Sequence, residues 1–427
     1  TKAINKWQVR YRIKGREEWK QTEEFEGTEI DIEVEELGIY EVQVYHGEEV
    51  ESAIKEIEVK PIEITTDWIA TTKTDSEWYG YKDISKTDSE EVQVNAPRLK
   101  GNMTPIKYIG EEQEGSKWAN VATSDGSMFV WIPRYAYKIT KGYHTNEAGT
   151  IEVAFIDTNN RFLNGENGTI ITDPSKVTYT NGVQNEWLVH PAFTASAENG
   201  GGFGEIAGLW VGKFETTGTE ENISVKPGDS PLVNMTMNER YHAGLDATFG
   251  EKVNLNSHMA KNSEWGVVAY LGHSKYGTNE KEIELNSKNQ ITGGTAEKKE
   301  IYKASKGQST TLNANGVFDM RGTSSECVAA YINNEHGNLK KYGGEGENDL
   351  YGSTKEIQSK STKYKEVYES VNDLRTDYEN MIKYKGNALY EIAGTYDEKY
   401  SLVIAWLKNT MEFPNYEEPF FDRGRKF

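Results

Sequence analysis

Over the first sixty or so residues apolar side chains fall at every second position, and after residue 64 they do not, so one chain follows two different folding rules. Trp7, Val9, Tyr11 and Ile13 form the first run, Ile30, Ile32 and Val34 the second, Tyr40, Val42 and Val44 the third, and Ile57 and Val59 the fourth. Successive side chains of a strand point to opposite faces, so each run presents one apolar face and one polar face. Lys14-Gly15, Glu26-Gly27, Leu37-Gly38 and His46-Gly47 punctuate the runs as turns. The pattern predicts an all-β unit over residues 1–64, a meander of short antiparallel strands of the sandwich type. A chain of 427 residues also exceeds the ~250–300 residues at which single cores stop growing.

Residues 65–115 lose the alternation and turn polar, as in TKTDSEWYGYKDISKTDSEE, which predicts a linker or a loosely packed lead-in. From 116 to 427 the chain is built of aromatic segments punctuated by glycine. They are DGSMFVWIPRYAYKIT (125–140), HPAF (190–193), GLWVGKFE (208–215), MAKNSEWGVVAYLGHSKYG (259–277), GVFDMRGTSSECVAAYIN (316–333) and PFFDRG (419–424). Polar insertions over 278–307 and 334–365 separate them. Helices are expected near 262–271, where Trp265, Val268 and Ala269 share a face, and over 365–384. The reading is an α+β domain rich in loops. Between Gly316 and Gly322, Val317 or Phe318 can be buried while Asp319 ties a loop.

Several function classes are excluded by composition. A net charge of -20 with no basic cluster repels nucleic acid. Cys327 is the only cysteine, so neither an intrachain disulfide nor a cysteine zinc site can form, and it reads as a small buried hydrophobe. The seven histidines show no metal-binding spacing, and His190, among aromatic neighbours, reads as a hydrogen-bonded core group. No cofactor is expected. Structural calcium lacks a specific motif: 157–160 and 345–349 offer oxygen ligands without the spacing of an EF-hand and read as solvated loops. Trp131, Trp187, Trp210 and Trp265 read as core rings. No apolar run reaches the ~18 residues of a membrane span, and the opening TKAINKWQVRYRIKG alternates like a strand, unlike a signal peptide. An export signal or anchor is expected to lie upstream.

The first unit resembles a fibronectin type III or related immunoglobulin-like module, with KWQVRYRI and IYEVQVY like its central strands and its first strands missing. Two-thirds of the chain resembles the formylglycine-generating-enzyme (sulfatase-modifying-factor) family, a branch of the C-type-lectin-like fold. The resemblance rests on SMFVWIPRYAYKI, LWVGKFE, NSEWGVVAY, GVFDMRGTSSECVAAY and DRGRKF in the family's order. It implies that Trp131, His190, Trp210, Glu264, Trp265, Asp319, Glu326 and Arg423 are structural motif residues. Enzymes of the family use a cysteine pair, and iron-dependent relatives a histidine cluster. Neither is present, and Cys327 stands where the second Trp of the family's Trp-Glu-Trp usually stands. The family runs on past the position of Gly424, so the domain is expected to be truncated at its C-terminus.

These readings lead to a non-catalytic binding or display protein, extracellular on a cell surface or phage particle, that presents a lectin-like domain to a carbohydrate or protein ligand. The alternatives are a structural part of a phage tail or pilus-like appendage and, further off, a divergent sulfatase-modifying or iron-dependent oxidase. No catalytic residue is assigned.

Overall fold

The computed structural model describes residues 6–26, 30, 32, 38–46, 49–50, 52–59, 95, 97–106, 118–163, 165–279, 281–286, 291–293, 302 and 305–424. The chain divides into two compact units, Thr1–Ile64 and Thr65–Phe427. Among the described residues strands dominate and helices are few.

In the first unit Lys6–Ile13 and Gly38–His46 pair antiparallel, with Lys20–Gln21 on one side and Glu49–Val50 and Lys55–Val59 against the second of them. The register sets Val9 opposite Val44, Tyr11 opposite Val42 and Ile13 opposite Tyr40, and Tyr40 opposite Ile57. The alternating apolar residues therefore line one face. On the other face the Arg10 guanidinium lies 4.4 Å from the Trp19 ring and 4.6 Å from that of Tyr45. Arg12 also covers Trp19 and pairs with Glu41 at 2.6 Å. Such stacked cations and rings keep the solvent face of a sheet ordered. Most of the run from Ile30 to Val34 lies outside the described residues.

Among the described residues the second unit has four sheets of three or four strands and two two-stranded ribbons. Thr150–Phe155, Tyr135–Lys141, Trp187–Val189 and Ile170–Ile171 form one; Gly208–Gly212, Met128–Pro133, Asn120–Ala122 and Thr104–Pro105 form another. Glu366–Glu369, Glu326–Asn333 and Phe420–Arg423 make the third, and Ala393–Asp397, Leu402–Ala405 and Thr410–Glu412 the fourth. The aromatic segment that opens the domain, read as 125–140, holds two strands. Met128–Pro133 and Tyr135–Lys141 join different sheets, and Arg134 between them is fully buried.

The helix Asn262–Gly272 is buried on nearly every side and shares the largest apolar core with Tyr135, Leu188 and Phe193. A Cβ on Gly266 would stand 1.9 Å from the Gly386 carbonyl oxygen, so only glycine lets the loop pass this helix so closely. The second expected helix is corrected. Glu366–Glu369 is a strand, parallel to Ala330–Asn333, and the helix begins only at Leu374, where the Asp373 carboxylate accepts from Thr376 N. Alternation in EVYE and the capping aspartate win over helical propensity there. The insertion 334–365 carries the helices Gly337–Gly343 and Lys355–Ser359.

Most of the predicted linker, including 75–89, lies outside the described residues. Its described residues, 95 and 97–106, are not loose. Asn95 is buried and donates to the Ile156 carbonyl at 2.6 Å, and Thr104–Pro105 pairs with Val121–Ala122.

Loop-rich domains must satisfy backbone carbonyls that no ladder reaches. Here buried cations do so. Lys261 donates to the carbonyls of Gly200 and Gly201, each at 2.7 Å; Lys365 donates to those of Leu350 and Tyr351 at 2.7 and 3.3 Å. Lys213 reaches Asn120 Oδ1, the Ala314 carbonyl and the Gly316 carbonyl. Arg134 binds the Phe193 and Ile206 carbonyls, and Arg423 those of Asn387 and Ala388.

Candidate functional site: an apolar groove beside the buried helix

A groove of about 290 Å³ opens in the second unit. The helix Asn262–Gly272 lines it through Trp265, Ala269 and Tyr270. The hairpin formed by Leu402–Ala405 and Thr410–Glu412 supplies Trp406, Asn409 and Met411. Ile283, Leu285, Met320, Asp422 and Gly424 also line it.

Both indoles are held in place. Trp265 Nε1 donates to Glu326 Oε2 at 2.6 Å, and the Arg423 guanidinium lies 4.2 Å from its ring. Trp406 Nε1 donates to the Gly142 carbonyl at 2.6 Å, and its ring lies 5.1 Å from that of His273. Gly149 passes against the same indole, where a Cβ would come within 2.2 Å. Lys281, Glu412 and Asp422 bring charge to the lining, and three further polar residues bond one another. Arg321 pairs with Glu282 at 3.3 Å, donates to Asn409 Oδ1 at 2.9 Å, and Asn409 Nδ2 donates back to Glu282 at 2.6 Å.

Behind the Trp265 wall lie three carboxyl groups. Burial pushes Glu326 up to about 7, helped by the negative charge of Asp319 and opposed by the Trp265 donor and Arg423. Glu215 is pushed up to about 10, first by burial and then by Glu326 and Asp319. Asp319, in the left-handed region at φ 61°, accepts from Asn286 Nδ2, Thr292 Oγ1 and the Gly293 N–H, so it ties three points of one loop; burial still raises it.

Of the residues singled out from sequence, Trp265, Glu326 and Arg423 come together at the groove wall. Asp319 directly precedes Met320, which lines the groove. Glu264 caps the N-terminus of the same helix: it accepts from Lys261 N at 2.9 Å and from His258 Nε2 at 3.0 Å. His258 and Lys261 more than offset its burial and hold it down at about 2. The other three lie elsewhere. Trp131 and Trp210 meet edge to face at 5.2 Å and donate to the carbonyls of Asn95 and Arg98, which fastens the lead-in segment. His190 is wholly buried among Tyr135, Tyr137 and Tyr270, its Nδ1 accepts from Ala192 N, and burial depresses it to about 3.

Sequence reasoning missed Trp406, Ile283, Leu285, Arg321 and Asn409. The signal was available only for the hairpin, where SLVIA and TMEF flank a four-residue turn. It also missed Glu391, a buried carboxylate that accepts from the hydroxyls of Tyr137, Tyr179 and Tyr270, each at 2.9 Å, and from Gly386 N.

Cys327 is half-buried beside Tyr241 and Ala329, and burial with Asp422 nearby pushes its thiol up to about 12. The two loops weighed for calcium spend their acids internally. Asp157 accepts from Asn159 N, Arg161 N and the Arg161 guanidinium; Asp349 accepts from His242 and Gly346 N. Among the described residues no group of three or more His, Cys, Asp or Glu is disposed to hold a metal ion, and no helix is long and apolar enough to cross a membrane.

No protein-family model matches this chain, and none of the curated proteins matches it.

Proposed function

We propose that this chain is a non-catalytic binding or display protein of a cell or phage surface, in which an immunoglobulin-like unit carries a lectin-like domain of the sulfatase-modifying-factor type. The observation that carries the binding part is the groove. Two indoles fixed by their own hydrogen bonds frame a mainly apolar hollow that a few polar and charged groups also line, as in a preformed recognition site. A carbohydrate or protein ligand on a cell surface is the expected partner.

The lectin-like part is supported by adjacency. Glu326–Asn333 and Phe420–Arg423 pair antiparallel, which sets the two most family-like segments side by side, and Arg423 lies over Trp265 of a third. The non-catalytic part is supported by Cys327, a lone thiol held protonated at neutral pH, where the family's enzymes need a pair.

The test is a glycan array together with a pull-down on candidate host-surface proteins, using the full chain and the Ala269→Trp variant, which fills the groove. Binding lost in the variant supports the reading. Blank results in both assays, with the chain found as a buried repeating subunit of a particle, favour a structural part instead.

A further inference from the structure

Between the helix Met237–Asp246 and the helix Asn262–Gly272 the chain forms neither helix nor strand. Without a ladder, such a stretch is held by side chains and by single backbone bonds. One end is tied by Glu251, whose carboxylate accepts from Asn102 N and Ser124 N, and the other by the Ala260 carbonyl, which accepts from Ala329 N. Between these ties residues 252–254 and Asn256 are exposed, and His258 carries the segment onto the N-terminus of the second helix. The His258 ring is engaged at both nitrogens. Nε2 lies 3.0 Å from each carboxylate oxygen of Glu264, and Nδ1 lies 3.3 Å from the Asn256 carbonyl oxygen. Both partners accept and neither donates. A neutral imidazole carries one N–H and turns a lone pair on the other acceptor, whereas an imidazolium donates to both. The geometry therefore calls for the charged ring.

The surroundings of the ring are mixed. Glu264 faces it as an anion, and Lys261, whose ammonium lies 3.9 Å from the same carboxylate, opposes it. Phe203 at 5.0 Å and Tyr364 at 5.7 Å pack against it, with the Lys363 ammonium over both of those rings, and the Tyr364 hydroxyl donates to Asn256 Oδ1. Burial pulls the ring down, but the Glu264 charge and hydrogen bond, with the Asn256 carbonyl, more than offset burial and Lys261, so it stands above the usual 6.5. Loss of the proton would not strand Glu264. Its carboxylate keeps the Lys261 N–H at 2.9 Å and the Lys261 ammonium nearby, so the helix retains its cap while the bonds of His258 are given up.

We propose that His258 is a proton-operated latch: charged, it clamps the segment 252–258 to the N-terminus of the helix Asn262–Gly272, and neutral, it frees that segment. Because the ring is raised above 6.5, the clamp is fully present below 6.5 and is lost as pH rises through the raised value.

The experiment follows the full chain by NMR and by hydrogen exchange. The histidine Cε1–H signals are titrated, and the one missing from His258→Gln is that of His258. Exchange of peptides covering 252–261 is measured at pH 6 and pH 9, with the intrinsic pH dependence of exchange divided out. His258 is expected to titrate above 6.5, and protection of the segment to fall severalfold from pH 6 to pH 9 in the wild type. His258→Gln should be as open at pH 6 as the wild type is at pH 9, with no change between the two. Should that variant fail to fold, as judged by circular dichroism, Glu264→Gln serves instead: it keeps an acceptor for Lys261 N and should bring the His258 midpoint down. The wild-type exchange decides the matter without either variant. Equal protection at the two pH values overturns the latch and leaves a static ion pair. A His258 midpoint at or below 6.5 overturns it too, as does a folded His258→Gln that keeps the wild-type pH dependence.

Discussion

At the scale of single residues, the acids near the helix Asn262–Gly272 are tuned in opposite directions. Glu326 is raised from the usual 4.5 to about 7, so its contribution is full below 4.5 and is lost as pH rises through 7. Glu264 is lowered to about 2, so its contribution is present above 4.5 and is lost as pH falls towards 2. Glu326→Gln keeps an acceptor for Trp265 Nε1 and removes the buried charge. The variant should be more stable than the wild type at pH 8 by on the order of 1–3 kcal/mol and equal to it at pH 4.5, read from urea denaturation at the two pH values. Lys261 makes the reverse case, because it is fully buried and donates to the carbonyls of Gly200 and Gly201, of which Gly200 also accepts from Ser263 Oγ. Lys261→Met should cost about 1–3 kcal/mol, since it takes the donor from the buried Gly201 carbonyl; a loss below ~0.5 kcal/mol in the same denaturation assay would show that the carbonyl finds a new partner. Sequence reading marked Glu264, Trp265, Asp319, Glu326 and Arg423 and gave a role to Asp319, as the tie of a loop, but not to the others. Glu326 meets Trp265 from 61 positions away, and no local pattern encodes that pairing.

At the scale of elements, the helix Asn262–Gly272 was legible because its apolar spacing is strong, and its start matches the observed one. Its burial on nearly every side was not legible, since residues packed with it, such as Tyr135, Leu188 and Ala388, come from distant parts of the chain. Gly266 is where that burial is tightest. Gly266→Ala, ordinarily favourable within a helix, should here destabilise by more than about 2 kcal/mol, because its methyl would meet the Gly386 carbonyl. Thermal unfolding measures this, and an unchanged or raised Tm would mean that the loop can move away. The strand Glu366–Glu369 shows the opposite limit. Its four residues give too short a run to outvote a twenty-residue helical window by sequence alone, yet its parallel pairing with Ala330–Asn333 decides it. In the first unit the alternation was enough to place both long strands, because a period of two specifies a face directly.

At the scale of the whole molecule, the division near residue 64 was visible as a change of rhythm, whereas the groove was not visible at all. It is assembled from a helix, the polar insertion that follows it and a hairpin more than a hundred residues further along. The insertion read only as polar because Ile283 and Leu285 stand among charged neighbours. The five buried cations bear on the whole second unit in another way. Bound metal ions that knit loops can be stripped by a chelator or lost on dilution, whereas an ammonium or guanidinium group on the chain is a counterion that cannot leave. The unit should therefore unfold at the same temperature in excess EDTA as without it, and a fall of several degrees would reveal an ion at work. A protein knitted by its own tethered cations can keep its loops in place where free calcium is scarce or fluctuating, with no need to recapture an ion after each transient opening.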